Sequence, residues 1–256
     1  MPIADLQLIE SELFSSIGVR AFFTDRRGGV SHPPYDTLNF GQDIGDEQHA
    51  ISTNIERLIQ QAGLNSPPHQ AKQVHGKEHL VCHGEGFVHS DEADILITSE
   101  SNTPVAVRTA DCLPVLLADP IAKVIAAVHA GWRGTAQRVV VKAIELMQKK
   151  GATLDNIHAT LGPSIGACCF EIGIEACNQL VASTEHASLA IVQREKIHAD
   201  LSAINIMQLK ETGILDEQIE SKHSCTQCHP ELFYSYRRDQ GQTGRHLAVV
   251  ALGDDI

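Results

Sequence analysis

Short apolar runs alternate with polar, glycine-containing connections along most of the chain. Apolar runs bounded by turn residues predict buried strands. The runs of this kind are Val19–Thr24, His79–Cys82, Asp94–Thr98, Val105–Thr109, Pro114–Ala118, Lys123–His129, Ile157–Leu161, Leu232–Tyr236 and His246–Leu252.

Helical spacing of apolar residues predicts the helices. Segments 47–61, 172–180 and 200–211 show it, and in the first of them the apolar face is Ile51, Ile55, Leu58 and Ile59. A further helix is predicted after Gly134, with Thr135 as its cap. Its apolar face is Ala136, Val139, Val140, Ala143, Ile144 and Met147. Strands and helices mix without strict alternation and no linker or repeat interrupts them, so we expect one α+β domain with a mixed sheet over residues 1–256.

Composition and charge narrow the classes of function. The 256 residues are 43% hydrophobic and 20% charged, as in ordinary globular proteins. With 20 Lys and Arg against 32 Asp and Glu, the net charge is −12, which disfavours binding to nucleic acid or anionic membranes. The most apolar stretch, 113–132, is interrupted by charged residues and is typical of two strands rather than a membrane span. The N-terminal residues have neither a basic head nor an apolar core, so we expect a cytoplasmic protein.

Three side chains able to bind a metal stand at strand ends beside or near glycine: His75, Cys112 and His129. A thiolate and two imidazoles would fill three positions of a tetrahedral zinc site and leave the fourth for water or substrate. The same trio is compatible with buried core residues, and with a cysteine hydrolase in which Cys112 is the nucleophile and His129 the base. It also matches the equatorial ligands of a blue-copper site, although no methionine lies nearby in sequence. Spacing alone leaves these alternatives open.

Arginines in turn-like segments are candidate anion ligands. Arg133 lies in a strand-to-helix connection whose free N–H groups suit a phosphate or carboxylate. Arg27 and Arg238 each belong to an arginine pair in a turn. Separately, Cys225 and Cys228 begin a CTQCH string that matches c-type haem attachment, but without an export signal a structural or redox-sensitive cysteine pair is favoured.

Taken together, the motifs resemble those of one family, the YfiH/YlmD-type proteins. These were long labelled laccase-domain or polyphenol oxidoreductase proteins and are now described as purine nucleoside phosphorylases with adenosine deaminase activity. The resemblance covers most of the chain. Its strings are TDRRGGVS (24–31), LNFG (38–41), QVHG (73–76), TADCLP (109–114), VHAGWRG (128–134), LGPSIG (161–166), CTQC (225–228) and FYSYRRD (233–239).

The resemblance implies a layered α/β/β/α domain with mixed sheets, similar to the cysteine-hydrolase toxin fold. It implies that His75, Cys112 and His129 hold a metal, usually zinc, with copper as the alternative that the older label carries. The implied substrates are adenosine, inosine and 5′-methylthioadenosine, with phosphate as co-substrate.

Roles for other residues follow from the implied reactions. In deamination a metal-activated water would attack C6 of the purine. In phosphorolysis phosphate attacks the ribose C1′, which requires an anion clamp, and we assign that clamp to Arg27, Arg133 or Arg238. Asp111, beside Cys112, is a candidate catalytic residue as the partner that orients a histidine. The matching strings add Asn39 and Gln73 to the candidate substrate-binding residues.

Overall fold

Two β-sheets packed face to face form the centre of the computed structural model, which describes residues 6–253. Residues 1–5 lie outside the described residues. They are part of the N-terminal segment from which a cytoplasmic location is predicted. The strands are β1 (Leu8–Glu10), β2 (Val19–Thr24), β3 (Gln70–Lys72), β4 (His79–Val81), β5 (Val88–Glu92), β6 (Ile95–Thr98), β7 (Val105–Thr109), β8 (Leu113–Asp119), β9 (Val124–Ala130), β10 (His158–Leu161), β11 (Ile191–Gln193), β12 (Ile197–Ala199), β13 (Ile219–Ser221) and β14 (His246–Leu252). The helices are α1 (Glu12–Ser16), α2 (Gln48–Ala62), α3 (Trp132–Ala136), α4 (Val139–Lys149), α5 (Ile174–Val181) and α6 (Leu201–Glu211), with short 3₁₀ turns at Ala187–Ala190 and Asp216–Gln218.

One sheet has four strands in the order β1-β2-β14-β7, and the other has six in the order β13-β10-β8-β9-β6-β4. The four-stranded sheet is antiparallel, whereas the larger sheet is mixed, because β13 and β4 run parallel to their neighbours. Apolar residues from both sheets meet between them, including Phe23, Val107, Leu116, Ile125 and Val250. Burial of these side chains between the sheets is the main force that holds them together.

Helices cover the outer faces of both sheets. Ile144 of α4 and Ile204 of α6 belong to a core cluster with Val115 and Val128 of the six-stranded sheet. On the other side, Leu58 of α2 packs in a cluster with residues of the four-stranded sheet. The predicted mixed-sheet α/β/β/α architecture is therefore confirmed. None of the helices in the described part of the chain is long and apolar enough to cross a membrane.

Two predicted elements are wrong. The helix predicted from Thr135 is divided, because Thr135 lies inside α3 and α4 begins only after Arg138, whose backbone is left-handed with φ 60°. Segment 232–236 forms turns and irregular backbone rather than a strand. Phe233 and Tyr234 are buried, whereas Tyr236 is exposed, and the backbone N–H of Tyr234 donates to the His246 ring at 2.9 Å instead of to a neighbouring strand.

The hairpin of β8 and β9 positions the predicted metal ligands. Cys112 directly precedes β8, and His129 is the next-to-last residue of β9, where it pairs with Pro114. Cys112 and His129 are 17 positions apart in sequence, and the one hairpin between them returns the chain to its starting end.

Candidate active site

One sulfur and two imidazole rings converge at the open end of this hairpin. The donor atoms of His75, Cys112 and His129 all lie within 4.8 Å of one another. The two rings meet edge to face with their centroids 4.9 Å apart. His129 is buried, Cys112 is partly buried and His75 is exposed, so the cluster is closed on the protein side and open on the other.

Asp94, immediately before β6, holds both histidines in place. Its carboxylate accepts a hydrogen bond from Nδ1 of His129 at 2.7 Å, which leaves Nε2 of that ring for a metal. It also accepts the backbone N–H groups of Val74, His75 and Gly76 at 3.2, 3.0 and 2.7 Å. These bonds hold His75 in a left-handed conformation with φ 62°, which is uncommon outside glycine.

Gly131 leaves the space that the cluster needs. A Cβ at this position would lie 2.9 Å from Cδ2 of His75 and 3.1 Å from Sγ of Cys112. Any residue can adopt its φ of −68°. Glycine is therefore needed here because a side chain would not fit, and not because the backbone conformation is unusual. Two imidazoles and a thiol at this spacing, one ring held by a carboxylate, fit a tetrahedral zinc ion, and the same donors are accepted by copper.

The electrostatics of the cluster favour a thiolate beside an imidazolium. Burial raises the pKa of the Cys112 thiol, but the charge and hydrogen bonds of His129 and His75 outweigh burial and bring this pKa down to about 6. For His129, burial lowers the pKa, whereas the Cys112 thiolate and Asp94 raise it to about 9. A thiolate is the form of cysteine that binds a metal or attacks a substrate.

A cavity of about 880 Å³ opens onto the cluster. Among the residues that line it are Arg108, Arg133, Tyr236, Arg237 and Arg245. A volume of this size accommodates a molecule as large as a nucleoside together with a small anion.

Arg108 and Arg245 form a pair of guanidinium groups in the cavity wall. Neither makes an ion pair with a carboxylate of the described chain, and Nη1 of Arg108 is buried without a hydrogen-bond partner. Burial and the neighbouring charge of Arg245 lower the pKa of Arg108 to about 10, and burial lowers that of Arg245. Two partly buried like charges, one with an unused buried donor, form a site that a bound anion would neutralise.

Two of the three arginines predicted as the phosphate clamp lie elsewhere. Arg27 is paired with Asp25, and Arg238 is paired with Asp239 and donates to the carbonyl of Phe233. Neither lines the cavity. Both guanidiniums are already satisfied by acids close in sequence, so for these two residues the predicted clamp role is corrected.

The other predicted ligands divide between the cavity and its support. Arg133 lines the cavity with its guanidinium 4.4 Å from the centre of the Trp132 ring. Gln73 also lines it, but its amide is engaged at both ends with the backbone of Arg108, at 2.8 and 2.7 Å. Asn39 is buried behind the wall, where its carbonyl accepts the backbone N–H of Arg245 at 2.8 Å. The prediction of direct substrate contact by Asn39 is therefore corrected to a supporting position.

Asp111 does not orient a histidine. Its carboxylate accepts hydrogen bonds from the hydroxyls of Thr226 and Ser235, at 2.5 and 3.0 Å, and from the backbone N–H of Arg237 at 2.7 Å. Asp111, the residue directly before Cys112, therefore connects loop 225–239 to the candidate site. The orienting role predicted for Asp111 belongs instead to Asp94.

Sequence reasoning missed Asp94, Arg108 and Arg245. Asp94 lies 35 residues from the histidine it holds, and only the fold brings them together. A signal for Arg108 was present, since it is the one charged residue in the apolar run Val105–Thr109. A charged residue in a buried strand requires a partner or a function.

Comparisons with known proteins agree with this architecture. A family model described as multi-copper polyphenol oxidoreductase laccase matches residues 20–253. Purine nucleoside phosphorylase YfiH of Shigella flexneri is 40% identical over 236 residues, which cover 92% of this chain and 94% of that protein. Purine nucleoside phosphorylase of Deinococcus radiodurans is 38% identical, covering 93% and 90%. The crystal structure of YlmD from Geobacillus stearothermophilus superposes with a TM-score of 0.87 at 28% identity, covering 95% and 94%.

Proposed function

This chain belongs to the multi-copper polyphenol oxidoreductase laccase family, and on that premise we propose that it is a metal-dependent purine nucleoside phosphorylase. One observation carries the proposal: a Cys/His/His ligand cluster faces the same cavity of about 880 Å³ as two arginines that form no ion pair within the described part of the chain. Relatives that match over most of their length are named for this activity.

Phosphorolysis requires a phosphate held beside the ribose. The guanidiniums of Arg108 and Arg245 would bind this phosphate, and Arg133 at the cavity wall would contribute further positive charge. A phosphate oxygen attacks C1′ as the bond from C1′ to the purine nitrogen breaks, and the bonding electrons leave with the base. The products are the free purine and ribose 1-phosphate.

We propose that His75, Cys112 and His129 hold zinc, with copper as the alternative ion. When bound, such an ion supplies a Lewis acid at the end of the cavity. Asp94 keeps the Nδ1 proton on His129 and so presents Nε2 to the ligand cluster. Because Gly131 has no side chain, no Cβ at this position crowds the ring of His75 or the sulfur of Cys112.

The proposal extends to hydrolytic deamination of adenosine and to phosphorolysis of inosine and 5′-methylthioadenosine. In deamination water replaces phosphate as the nucleophile, attack is at C6, and ammonia leaves to give inosine. Because this reaction has no anionic co-substrate, it requires the ligand cluster but not the arginine pair.

A cysteine hydrolase is the second candidate, and the aligned Cys112, His129 and Asp94 side chains favour it. A thiol with a pKa of about 6, a histidine beside it and a carboxylate on the far ring nitrogen make up a nucleophile, a base and the group that orients the base. The family's description as a laccase adds a third candidate, a copper oxidase of phenols.

Incubation of the purified protein with adenosine, with and without phosphate and with and without a chelator, separates the three. Phosphate-dependent adenine and phosphate-independent inosine, both lost on chelation and restored by zinc, are expected. Activity on amide or ester substrates that survives chelation would support the hydrolase instead. Phenol oxidation that only copper restores would support the oxidase. Unchanged adenosine in every arm would overturn the nucleoside proposal.

A further inference from the structure

Four cysteines from two distant segments form a second cluster, outside the cavity lining. Cys168 and Cys169 follow β10, whereas Cys225 and Cys228 follow β13. Their four sulfur atoms lie within 4.8 Å of one another. Sγ of Cys228 is 3.6 Å from that of Cys168 and 3.4 Å from that of Cys169.

We propose that these four cysteines bind one zinc ion at a structural site distinct from the Cys/His/His cluster. Four thiolates around tetrahedral zinc lie about 3.8 Å apart when each Zn–S bond is about 2.3 Å. The observed separations suit this arrangement. A cluster of four irons, in which each thiolate binds a different metal, would hold the sulfurs much farther apart.

The surroundings of the sulfurs have the features of a metal site. The backbone N–H of Gly166 donates to Sγ of Cys225 at 3.3 Å, an interaction that stabilises a metal-bound thiolate. The N–H of Cys228 donates to the carbonyl of Cys225 at 3.2 Å, which closes the turn of the C-x-x-C pair. A Cβ at Gly166 would be 3.3 Å from Sγ of Cys168, so glycine keeps the sulfurs clear. Cys168 and Cys228 are exposed, which provides a path for the ion.

This site would join the two loops that hold Asp111. The N–H of Ile165 donates to the carbonyl of Asp111 at 2.9 Å, and the hydroxyl of Thr226 donates to its carboxylate. Ile165 belongs to the segment that carries Cys168, and Thr226 lies between Cys225 and Cys228. Zinc here would therefore stabilise the loops beside Cys112 without contacting substrate.

The test is the metal content of protein purified with reductant and loaded with excess zinc before desalting. Two zinc ions per chain are expected for the wild type, and one for the Cys168→Ser/Cys228→Ser double variant, which alters only exposed side chains. His75→Ala should also retain one. Cys177→Ser is the matched control, because Cys177 lies on α5 outside the cluster, and it should retain two.

Cobalt gives a second readout that does not depend on activity. Cobalt bound to four thiolates should give the His75→Ala variant an intense sulfur-to-metal charge-transfer absorption. The double serine variant, in which Cys112 supplies the one thiolate of the intact Cys/His/His cluster, should give a much weaker band. The same zinc content in the wild type and in the double serine variant, or a disulfide among these cysteines that persists in reductant, would overturn the proposal. If the protein binds two zinc ions but does not catalyse phosphorolysis, the proposal of a four-cysteine site stands and the proposed function is refuted.

Discussion

Nδ1 of His129 donates a hydrogen bond to the carboxylate of Asp94 at 2.7 Å, and both side chains are almost completely buried. The same carboxylate accepts the backbone N–H of His75 at 3.0 Å. One acidic residue therefore fixes the ring orientation of one candidate ligand and the backbone of another. Because burial alone would raise the pKa of Asp94, while His129 and the backbone donors lower it overall, the group is held ionised by its partners.

We expect Asp94→Asn to weaken metal binding by about 10- to 100-fold, the usual cost of losing a carboxylate that orients a metal-bound histidine. The amide has a similar shape but lacks the charge that favours the Nδ1 proton of His129. Zinc affinity measured by competition with a chromophoric chelator checks this. Asp155→Asn, at an exposed turn, is the control. Unchanged affinity in Asp94→Asn would show that the cluster does not depend on this hydrogen bond.

Gly131→Ala should reduce zinc affinity at least about tenfold, because the added methyl would contact His75 and Cys112 at distances of 2.9 and 3.1 Å. The backbone at this position tolerates alanine, so far-ultraviolet circular dichroism should be unchanged. Gly173→Ala is the matched control, since a Cβ there meets no atom within 4 Å. Equal affinities of the two variants would contradict the importance of this space.

Arg245→Ala should raise the KM for phosphate by about 10- to 100-fold, the range for loss of a hydrogen bond to a charged group. Deamination of adenosine should change little, because no phosphate takes part. Arg133→Ala should have the same pattern with a smaller effect, since its side chain is exposed. Steady-state kinetics over a range of phosphate concentrations measures both.

Arg20→Ala, on β2, is the control for the arginine variants, because its side chain is exposed and pairs with Glu10 at 3.9 Å. A matching loss of phosphorolysis and deamination in Arg245→Ala would argue against phosphate binding and for a general structural defect.

Metal-free protein should react with iodoacetamide at Cys112, with the rate rising through a midpoint near pH 6. Below that pH the thiolate is protonated and the rate falls. Above it the thiolate predominates. His129→Ala should move the midpoint upward, because it removes the charge that lowers the pKa of the thiol. Zinc should protect Cys112, and peptide mapping by mass spectrometry identifies the labelled residue. A midpoint near the ordinary value of about 8.5 would show that His129 does not lower this pKa.

Much of the fold could be predicted from local pattern. The strands β2, β7, β8 and β9 are continuous apolar runs, and α2 places its apolar residues on one face, so each carries its own signal. Residues 232–236 misled the prediction because burial of Phe233 and Tyr234 produces the same apolar pattern whether or not the backbone joins a sheet. The break at Arg138 was missed because its left-handed backbone leaves the apolar spacing unchanged on either side.

The candidate site was predictable only in part. His75, Cys112 and His129 stand out because each lies at a strand end beside or near glycine. Asp111 adjoins a ligand in sequence and Asp94 does not, but the backbone of Asp111, with φ 89°, is not extended and its carboxylate is held by Thr226 and Ser235 rather than by a histidine. Arg27 and Arg238 stand out in the sequence because each belongs to a pair of adjacent arginines in a turn. Availability to an anion depends on whether an acid already neutralises each guanidinium, and only three-dimensional contacts reveal that.

Two of the candidate metal ligands flank a single hairpin, while His75 belongs to a separate segment that precedes β4. During folding, closure of β8 on β9 would bring Cys112 and His129 together as a half-site, and His75 would complete it only after β4 docks beside β6. Tight retention of an ion would then require that both events have occurred. Metal uptake followed in real time would report the order in which these parts of the sheet assemble.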